Sequence, residues 1–345
     1  MHIIDSHFHW WPASVLKALE ARTGFPRADV NKRGGWTYTG GDANGARTGT
    51  VASWAAWYDL DEQFAHMDGL GHQVDVVGSI GPLSVAFSEL PLAEGRDLAI
   101  AWNEEMASAQ RKYSGRFFGT AAIPLADTQV ALEVLEDAVG RLGLIGANLP
   151  GSVGTDPRID AARLEPFYAR AAELGLPLFL HPTDALFAEL LDGYNEALHI
   201  SLGRVVEVSA AAMRLVYSGV MERHPGLKII LSHTGGTLPY QSGRMDKNGR
   251  RAGLEQEPSV YMHRMFTDTV SPHRAGIEFA IAYYGIDRVM YGTDYPCWDP
   301  ATCLRLIDEI GLSEPERKRL FRDNAIEILG LPSLSSANKQ SHQDI

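Results

Sequence analysis

Residues 1–9, Met1-His2-Ile3-Ile4-Asp5-Ser6-His7-Phe8-His9, read as an apolar strand ending in a His-x-His pair. Side chains alternate faces along a strand, so His7 and His9 project the same way. Two neutral imidazoles so placed suit zinc and other divalent transition metals. Three later strand-like runs end in residues that bind metals or work beside them: Leu178 to Pro182 with His181, Ile229 to His233, and Val289 to Asp294. Four such endings predict strands whose ends meet at one place.

Working outward, eight short apolar runs cover 2–9, 74–81, 117–125, 144–150, 177–182, 228–234, 265–269 and 289–295. Several are continuously apolar, as strands buried on both faces require, for example Phe117 to Ile123. Helical stretches separate them, at 96–113, 128–142, 161–174 and 199–223. In the second of these Leu132, Leu135 and Val139 recur at spacings of three and four; Gly143 and Gly175 stop two of the helices and Pro225 ends the longest. Alternating strands and helices predict an α/β fold, and eight strands a closed (β/α)8 barrel of the TIM type. A single catalytic domain is expected over 1–332, with a polar, frayed tail over 333–345.

Residues 31–50 break the rhythm. Six glycines crowd among Trp36, Tyr38 and Arg47, and such an insertion is expected to form no regular element. It follows strand 1, on the face where barrels build their active sites, so it reads either as a mobile lid or as a surface excursion.

Composition narrows the function classes. A formal charge of −12 without a Lys/Arg block disfavours nucleic acid and anionic membranes as partners, and no apolar run is long enough to cross a bilayer. No secretory signal opens the chain, and its two cysteines, Cys297 and Cys303, match no zinc or redox spacing, so a cytoplasmic protein is expected. No phosphate-binding Gly-x-x-x-x-Gly-Lys motif supports a nucleotide cofactor.

A barrel brings the C-terminal ends of its strands to one face. His7, His9, His181 and Asp294 would then offer three imidazoles and a carboxylate to one divalent ion, with His233 beside an open position. The other histidines fall in helices or loops. Taken with Asp5-Ser6-His7-Phe8-His9, His181-Pro182-Thr183-Asp184, Ser232-His233-Thr234-Gly235-Gly236, Tyr291-Gly292-Thr293-Asp294-Tyr295-Pro296 and Asn324-Ala325, the chain resembles the metal-dependent amidohydrolase superfamily. Its decarboxylase branch, with aminocarboxymuconate semialdehyde and hydroxybenzoate decarboxylases, is the nearest in pattern.

The resemblance implies that His7, His9, His181 and Asp294 hold the metal and that His233 is the catalytic acid/base, with Asp294 a second candidate proton donor. Dinuclear members carry a bridging lysine at the end of strand 4. Here Leu144-Ile145-Gly146-Ala147-Asn148-Leu149-Pro150 has none, so one ion is expected, Zn2+ or alternatively Mn2+. Arg244 falls where the semialdehyde decarboxylase reaches a neighbouring subunit's site to hold a substrate carboxylate, which implies a homodimer; a surface ion pair is the other reading of Arg244. The second substrate arginine of that enzyme is replaced here by Trp54, with Arg47 seven residues earlier, and Thr183 and Cys297 also depart from the pattern. Trp10, Trp11, Trp54, Trp57 and Trp298 either line a flat aromatic pocket or fill the core. The expected function is a mononuclear metal-dependent decarboxylase of a small unsaturated or aromatic carboxylic acid. The alternative is a mononuclear hydrolase of a small cyclic substrate such as a lactone, and a non-catalytic metal-binding or ligand-sensing barrel is a third reading.

Overall fold

The computed structural model describes residues 1–41, 47–183, 191 and 193–332. Each of the eight apolar runs forms a strand: β1 (His2–His9), β5 (Gln73–Ser79), β6 (Phe117–Gly119), β7 (Ala147–Pro150), β8 (Pro177–His181), β9 (Lys228–Leu231), β10 (Phe266–Asp268) and β11 (Val289–Met290). All pair in parallel, in two sheets ordered β1-β5-β6 and β11-β10-β9-β8-β7. The ladder is not continuous between the sheets. Single parallel bridges, Ala121 to Ala147 and Phe8 to Tyr295, join them at the two seams. The physical reason lies in β6 and β11, which are shorter than the runs 117–125 and 289–295 suggest. Beyond Met290 the chain bends into the segment that carries Asp294, and at this second seam only a few backbone bonds hold it to β1, such as Ser6 N–H to Tyr291 O (2.8 Å) and Asp294 N–H to His7 O (2.7 Å).

The strands alternate between two apolar environments, as a sheet buried on both faces must. Ile3, Phe8, Val74, Val76, Leu178, Leu180, Ile229 and Leu231 pack in the large core with the helices. Ile4, Val77, Phe179, Ile230 and Met290 turn the other way and meet Ile328, Leu329 and Leu331 of the C-terminal segment. In β1 the parity changes. Ile4 and both His7 and His9 face inward, which a regular strand forbids, and the register against β5 slips by one residue between Asp5 and Phe8. This bulge re-aims the histidine pair, the usual use of an extra residue beside a site.

The helices fall close to their expected places: Leu92–Lys112, Thr128–Gly140, Glu165–Glu173 and Arg204–Tyr217. Thr128–Gly140 shows why. Asp127 caps it by accepting from Val130 N–H (3.0 Å), and Ala131, Val134, Leu135 and Ala138 form its buried stripe, with Leu132 and Val139 at the margins. The long helix expected over 199–223 is broken at Gly219, whose φ of 77° belongs to the left-handed region.

The insertion after β1 differs from expectation. Residues 31–50 do not lack regular structure: β2 (Arg27–Val30), β3 (Trp36–Gly41) and β4 (Arg47–Ala52) form an antiparallel three-stranded sheet. The β-formers between the glycines decide this. Tyr38 and Val51 are directly paired across strands and both buried, and the Tyr38 hydroxyl donates to the buried carboxylate of Glu89, tying the sheet to the body of the protein. The expected polar tail, 333–345, lies outside the described residues. Among those described, no helix is long and apolar enough to cross a membrane.

Candidate metal centre

Inward parity carries four polar side chains to one end of the strands. His7 and His9 end β1, His181 ends β8, and Asp294 follows β11. Their ligand-capable atoms lie within 4.8 Å of one another, and all four residues are buried. Each imidazole has its far nitrogen already engaged: His7 Nδ1 with Asp268 (2.6 Å), His9 Nδ1 with the Ser79 carbonyl (3.2 Å), His181 Nδ1 with the Pro182 carbonyl (2.8 Å). A carbonyl oxygen can only accept, so Nδ1 donates and the lone pair sits on Nε2. The Nε2 atoms of His7 and His181 have no hydrogen-bond partner among the described residues, and Asp294 Oδ1 stands 2.8 Å from His9 Nε2 and 3.4 Å from His7 Nε2. Buried lone pairs facing a buried carboxylate are costly unless a cation shares them. The donor set therefore fits a divalent ion of borderline softness.

The electrostatics agree. Burial opposes ionisation of Asp294, yet the imidazoles of His233, His7 and His9 outweigh it and hold its carboxyl well below the usual range. Burial, reinforced by the neighbouring imidazoles, pushes His181 well below its ordinary value. His7 is also opposed by burial, but Asp268 and Asp294 raise it to about 10. A proton drawn onto His7 would occupy the Nε2 lone pair, the same place at which a divalent ion would bring positive charge beside the ionised Asp294.

His233 stands beside this set, its Nε2 3.7 Å from Asp294 Oδ2 and its ring 5.4 Å from that of His7. In β9 Ile230 faces inward, so Ser232 would share its face and His233 would not. The backbone corrects this: φ is 55° at His233 and 54° at Thr234, an unfavourable conformation for residues with a Cβ. Asp268 holds it in place. That carboxylate accepts from the N–H groups of His233 (3.2 Å), Thr234 (3.1 Å) and Val270 (2.9 Å) as well as from His7. Asp268 was not among the expected site residues, although it ends 265–269, one of the strands left without a role. Asp5 was missed too. It accepts from Thr293 Oγ1 (2.5 Å) and from the N–H groups of Thr293 and His7, pinning the turn that presents Asp294 at φ 59°. Burial pushes Asp5 up to about 7 against those bonds.

In the strand that lacks the lysine, Asn148 is buried and its amide bonded throughout, to Ser79 Oγ (2.8 Å), Ile80 N (3.3 Å), Thr120 Oγ1 (2.9 Å) and Ala121 O (2.9 Å). It steadies Ser79, whose carbonyl orients His9. Thr183 donates through N–H (2.9 Å) and Oγ1 (2.6 Å) to buried Glu207, anchoring the chain just past His181.

A cavity of about 800 Å³ opens over His9, His181, His233 and Asp294. Trp54 and Trp298 both line it, as does Cys297, while Trp57 stacks on His9 with ring centroids 5.3 Å apart. Trp11 is wholly buried and belongs to the core. Arg244 is exposed on the helix Leu238–Gly249 and does not line the cavity of its own chain. Arg47 begins β4, whose residues Thr50 to Ala52 reach the cavity; its side chain lies outside what the structure describes.

The amidohydrolase family profile matches residues 4–331. The chain belongs to the amidohydrolase family. This amidohydrolase is 30% identical over 255 residues to the gamma-resorcylate decarboxylase of Rhodococcus jostii, a match spanning 68% of this chain and 77% of that one. It is 27% identical over 246 residues to the 2-amino-3-carboxymuconate-6-semialdehyde decarboxylase of Dictyostelium discoideum, across 68% of this chain and 67% of the relative. The crystal structure of a dihydroxybenzoic acid decarboxylase from Polaromonas sp., with bound manganese and the inhibitor 2-nitroresorcinol, superposes at a TM-score of 0.77 over 97% of this chain and 98% of that one, at 24% identity. These matches place the amidohydrolase in the decarboxylase branch of its superfamily and imply a TIM-barrel fold.

Proposed function

We propose that this amidohydrolase is a carbon–carbon lyase, a decarboxylase of a small aromatic or unsaturated carboxylic acid that depends on one divalent metal ion. The observation that carries the reading is the convergence of His7, His9, His181 and Asp294 under an aromatic-walled cavity, with His233 beside them. The absence of a lysine from Leu144 to Pro150, where dinuclear relatives by resemblance carry their bridging one, supports one ion rather than two. The ion is read as Zn2+ or Mn2+, the manganese of the related dihydroxybenzoic acid decarboxylase structure favouring the second. When bound, it supplies a Lewis acid that orients substrate oxygens and draws off developing negative charge.

The residues divide the remaining work. Loss of carbon dioxide breaks a carbon–carbon bond and leaves its electron pair on the substrate carbon, which must take a proton. His233 is the donor beside the site, while Asp294, 3.7 Å away and held as a carboxylate, can give a proton only after taking one up, for example from a substrate hydroxyl. Trp54, Trp57 and Trp298 offer flat faces to an aromatic ring and exclude water from it. Asp268 and Asp5 touch no substrate and act by positioning His7, His233 and Asp294. The strands are read as one closed barrel over 1–332, with the insertion sheet as a wall or lid of the site, in a cytoplasmic homodimer. The exposure of Arg244 supports its reaching a partner's cavity rather than its own.

The test is to incubate the metal-loaded protein with 2,6-dihydroxybenzoate, other hydroxybenzoates, aminomuconate-type acids and lactones while measuring carbon dioxide. Release from an acid, abolished by chelation and restored by Zn2+ or Mn2+, supports the reading. Ring opening without carbon dioxide would overturn it in favour of a hydrolase. His233→Ala is expected to lower turnover by about 10²–10⁴-fold with metal retained.

A further inference from the structure

One wall of the cavity contains a cation mounted on an aromatic platform that starts at a metal ligand. Trp57 stacks on His9, Trp54 meets Trp57 edge to face with centroids 5.5 Å apart, and the Arg33 guanidinium lies 4.3 Å from the centroid of Trp54. Arg33, Trp54 and Trp57 all line the cavity. Three successive ring contacts thus lead from a metal ligand to a fixed positive charge.

The turn that carries Arg33, between β2 and β3, is built to hold it there. Asn31 donates through Nδ2 to the carbonyl of Ser53 (2.9 Å), the residue before Trp54, and accepts at Oδ1 from the N–H groups of Arg33 (2.9 Å) and Gly35 (3.3 Å). A Cβ at Gly35 would come within 2.7 Å of the Ser53 carbonyl, so only glycine lets the two segments lie this close. Buried Ser53 ties the same segments together through Trp36 O (2.9 Å). Arg33 and Trp54 are therefore placed by one locked unit. No carboxylate pairs with the Arg33 side chain among the described residues, whereas arginines on the outer surface, such as Arg116, Arg141 and Arg170, each lie against one. The lining also includes Arg204 and one carboxylate outside the metal set, Glu196. In a chain of net charge −12 a guanidinium over an indole face, exposed at the cavity wall, is suited to an oxyanion attached to a flat ring.

We infer that Arg33, presented on Trp54, is a specificity-determining residue that binds a second anionic group of the substrate, at the end opposite the carboxylate lost near the metal. The inference rests on the decarboxylase reading and narrows its substrate class to aromatic acids bearing a second carboxylate across the ring.

The experiment is calorimetric titration of the metal-loaded full chain with benzoate and with terephthalate, which differ by that carboxylate. Terephthalate is expected to bind about tenfold more tightly, roughly the gain from one charge-assisted pair. In Arg33→Met the preference should fall to near unity, in Arg33→Lys it should survive in part, and Trp54→Ala should reduce it by removing the platform. Circular dichroism and a cooperative thermal transition establish that each variant is folded. An undiminished preference in Arg33→Met, or no preference in the native chain, overturns the inference. If the preference depends on Arg33 yet no acid in the substrate panel loses carbon dioxide, the decarboxylase reading fails and the anion site stands.

Discussion

The two ends of the same strands have been given opposite chemistry. At one end Val77, Phe179, Ile230 and Phe266 face inward against Ile328, Leu329 and Leu331. Two residues further along, on the same face, stand Ser79, His181, Ser232 and Asp268. A two-residue step is only about 7 Å of strand, so apolar plug and polar centre are adjacent layers of one interior. The lower layer gains by excluding water, and the upper is stabilised by the partners of its polar atoms and by places on a cation, Ser232 Oγ and His233 Nδ1 being the exceptions among the described residues. Stability and chemistry should then be separable by mutation, as they are at the two faces of barrel enzymes.

The largest test is Asp294→Ala. On the proposed reading it removes a metal ligand and a proton-transfer group together, and turnover is expected to fall by about 10³-fold or more, with metal content of the purified protein falling in parallel. Unfolding free energy of the metal-free protein should change little. Phe179→Ala probes the other layer. Truncating a buried phenyl ring costs about 3–5 kcal/mol, read by denaturant titration, while metal stoichiometry at saturating ion should stay at one. If Phe179→Ala lost the metal while keeping its stability, the separation of the layers would be wrong.

Asp268→Asn sharpens the comparison from inside the polar layer. The amide keeps one acceptor for the N–H groups of His233, Thr234 and Val270 but loses the charge that polarises His7. Metal affinity should drop by about 10–100-fold, the usual cost of an outer hydrogen-bond partner, as measured by competition with a chromophoric chelator. An unchanged affinity would leave Asp268 a merely structural clamp on the turn after β9.

These distinctions explain what the sequence made legible. Period-two alternation and strand endings sufficed to gather His7, His9, His181 and Asp294, because those features are local and the fold does the rest. The bulge between Asp5 and Phe8 was hidden, since it is set by pairing with β5 rather than by any residue of β1. The route of His233 into the site was hidden too, because it depends on left-handed backbone that Asp268 stabilises from another strand. Asp268 itself ended a run already identified as a strand, and asking every strand end for a polar residue would have found it. The insertion was misjudged for a different reason. Glycine content describes each residue's freedom, whereas the Tyr38 and Val51 pair and the Glu89 anchor are long-range contacts that override it.

The smallest expected effect lies outside both layers, where Glu165 joins the helix Glu165–Glu173 to Arg223 (2.7 and 2.9 Å) and His224 (2.8 Å). The Arg223 guanidinium, aided by His224 and opposed by partial burial, lowers the Glu165 carboxyl from the usual 4.5 to about 2. A depressed carboxyl contributes stability that is fully present above its unfolded value and is lost as pH falls through the folded one. The window here is therefore pH 4.5 down to about 2. Because a third of the Glu165 side chain is exposed, solvent screening holds the contribution below about 1 kcal/mol. Glu165→Gln should lower the melting temperature by no more than about 2 °C at pH 6, the gap should shrink as pH is lowered through that window, and added salt should shrink it further at pH 6. A gap that instead widened on acidification would mean that the carboxylate is held by something other than Arg223, and that the outer shell, unlike the two inner layers, takes its stability from no identifiable charge pair.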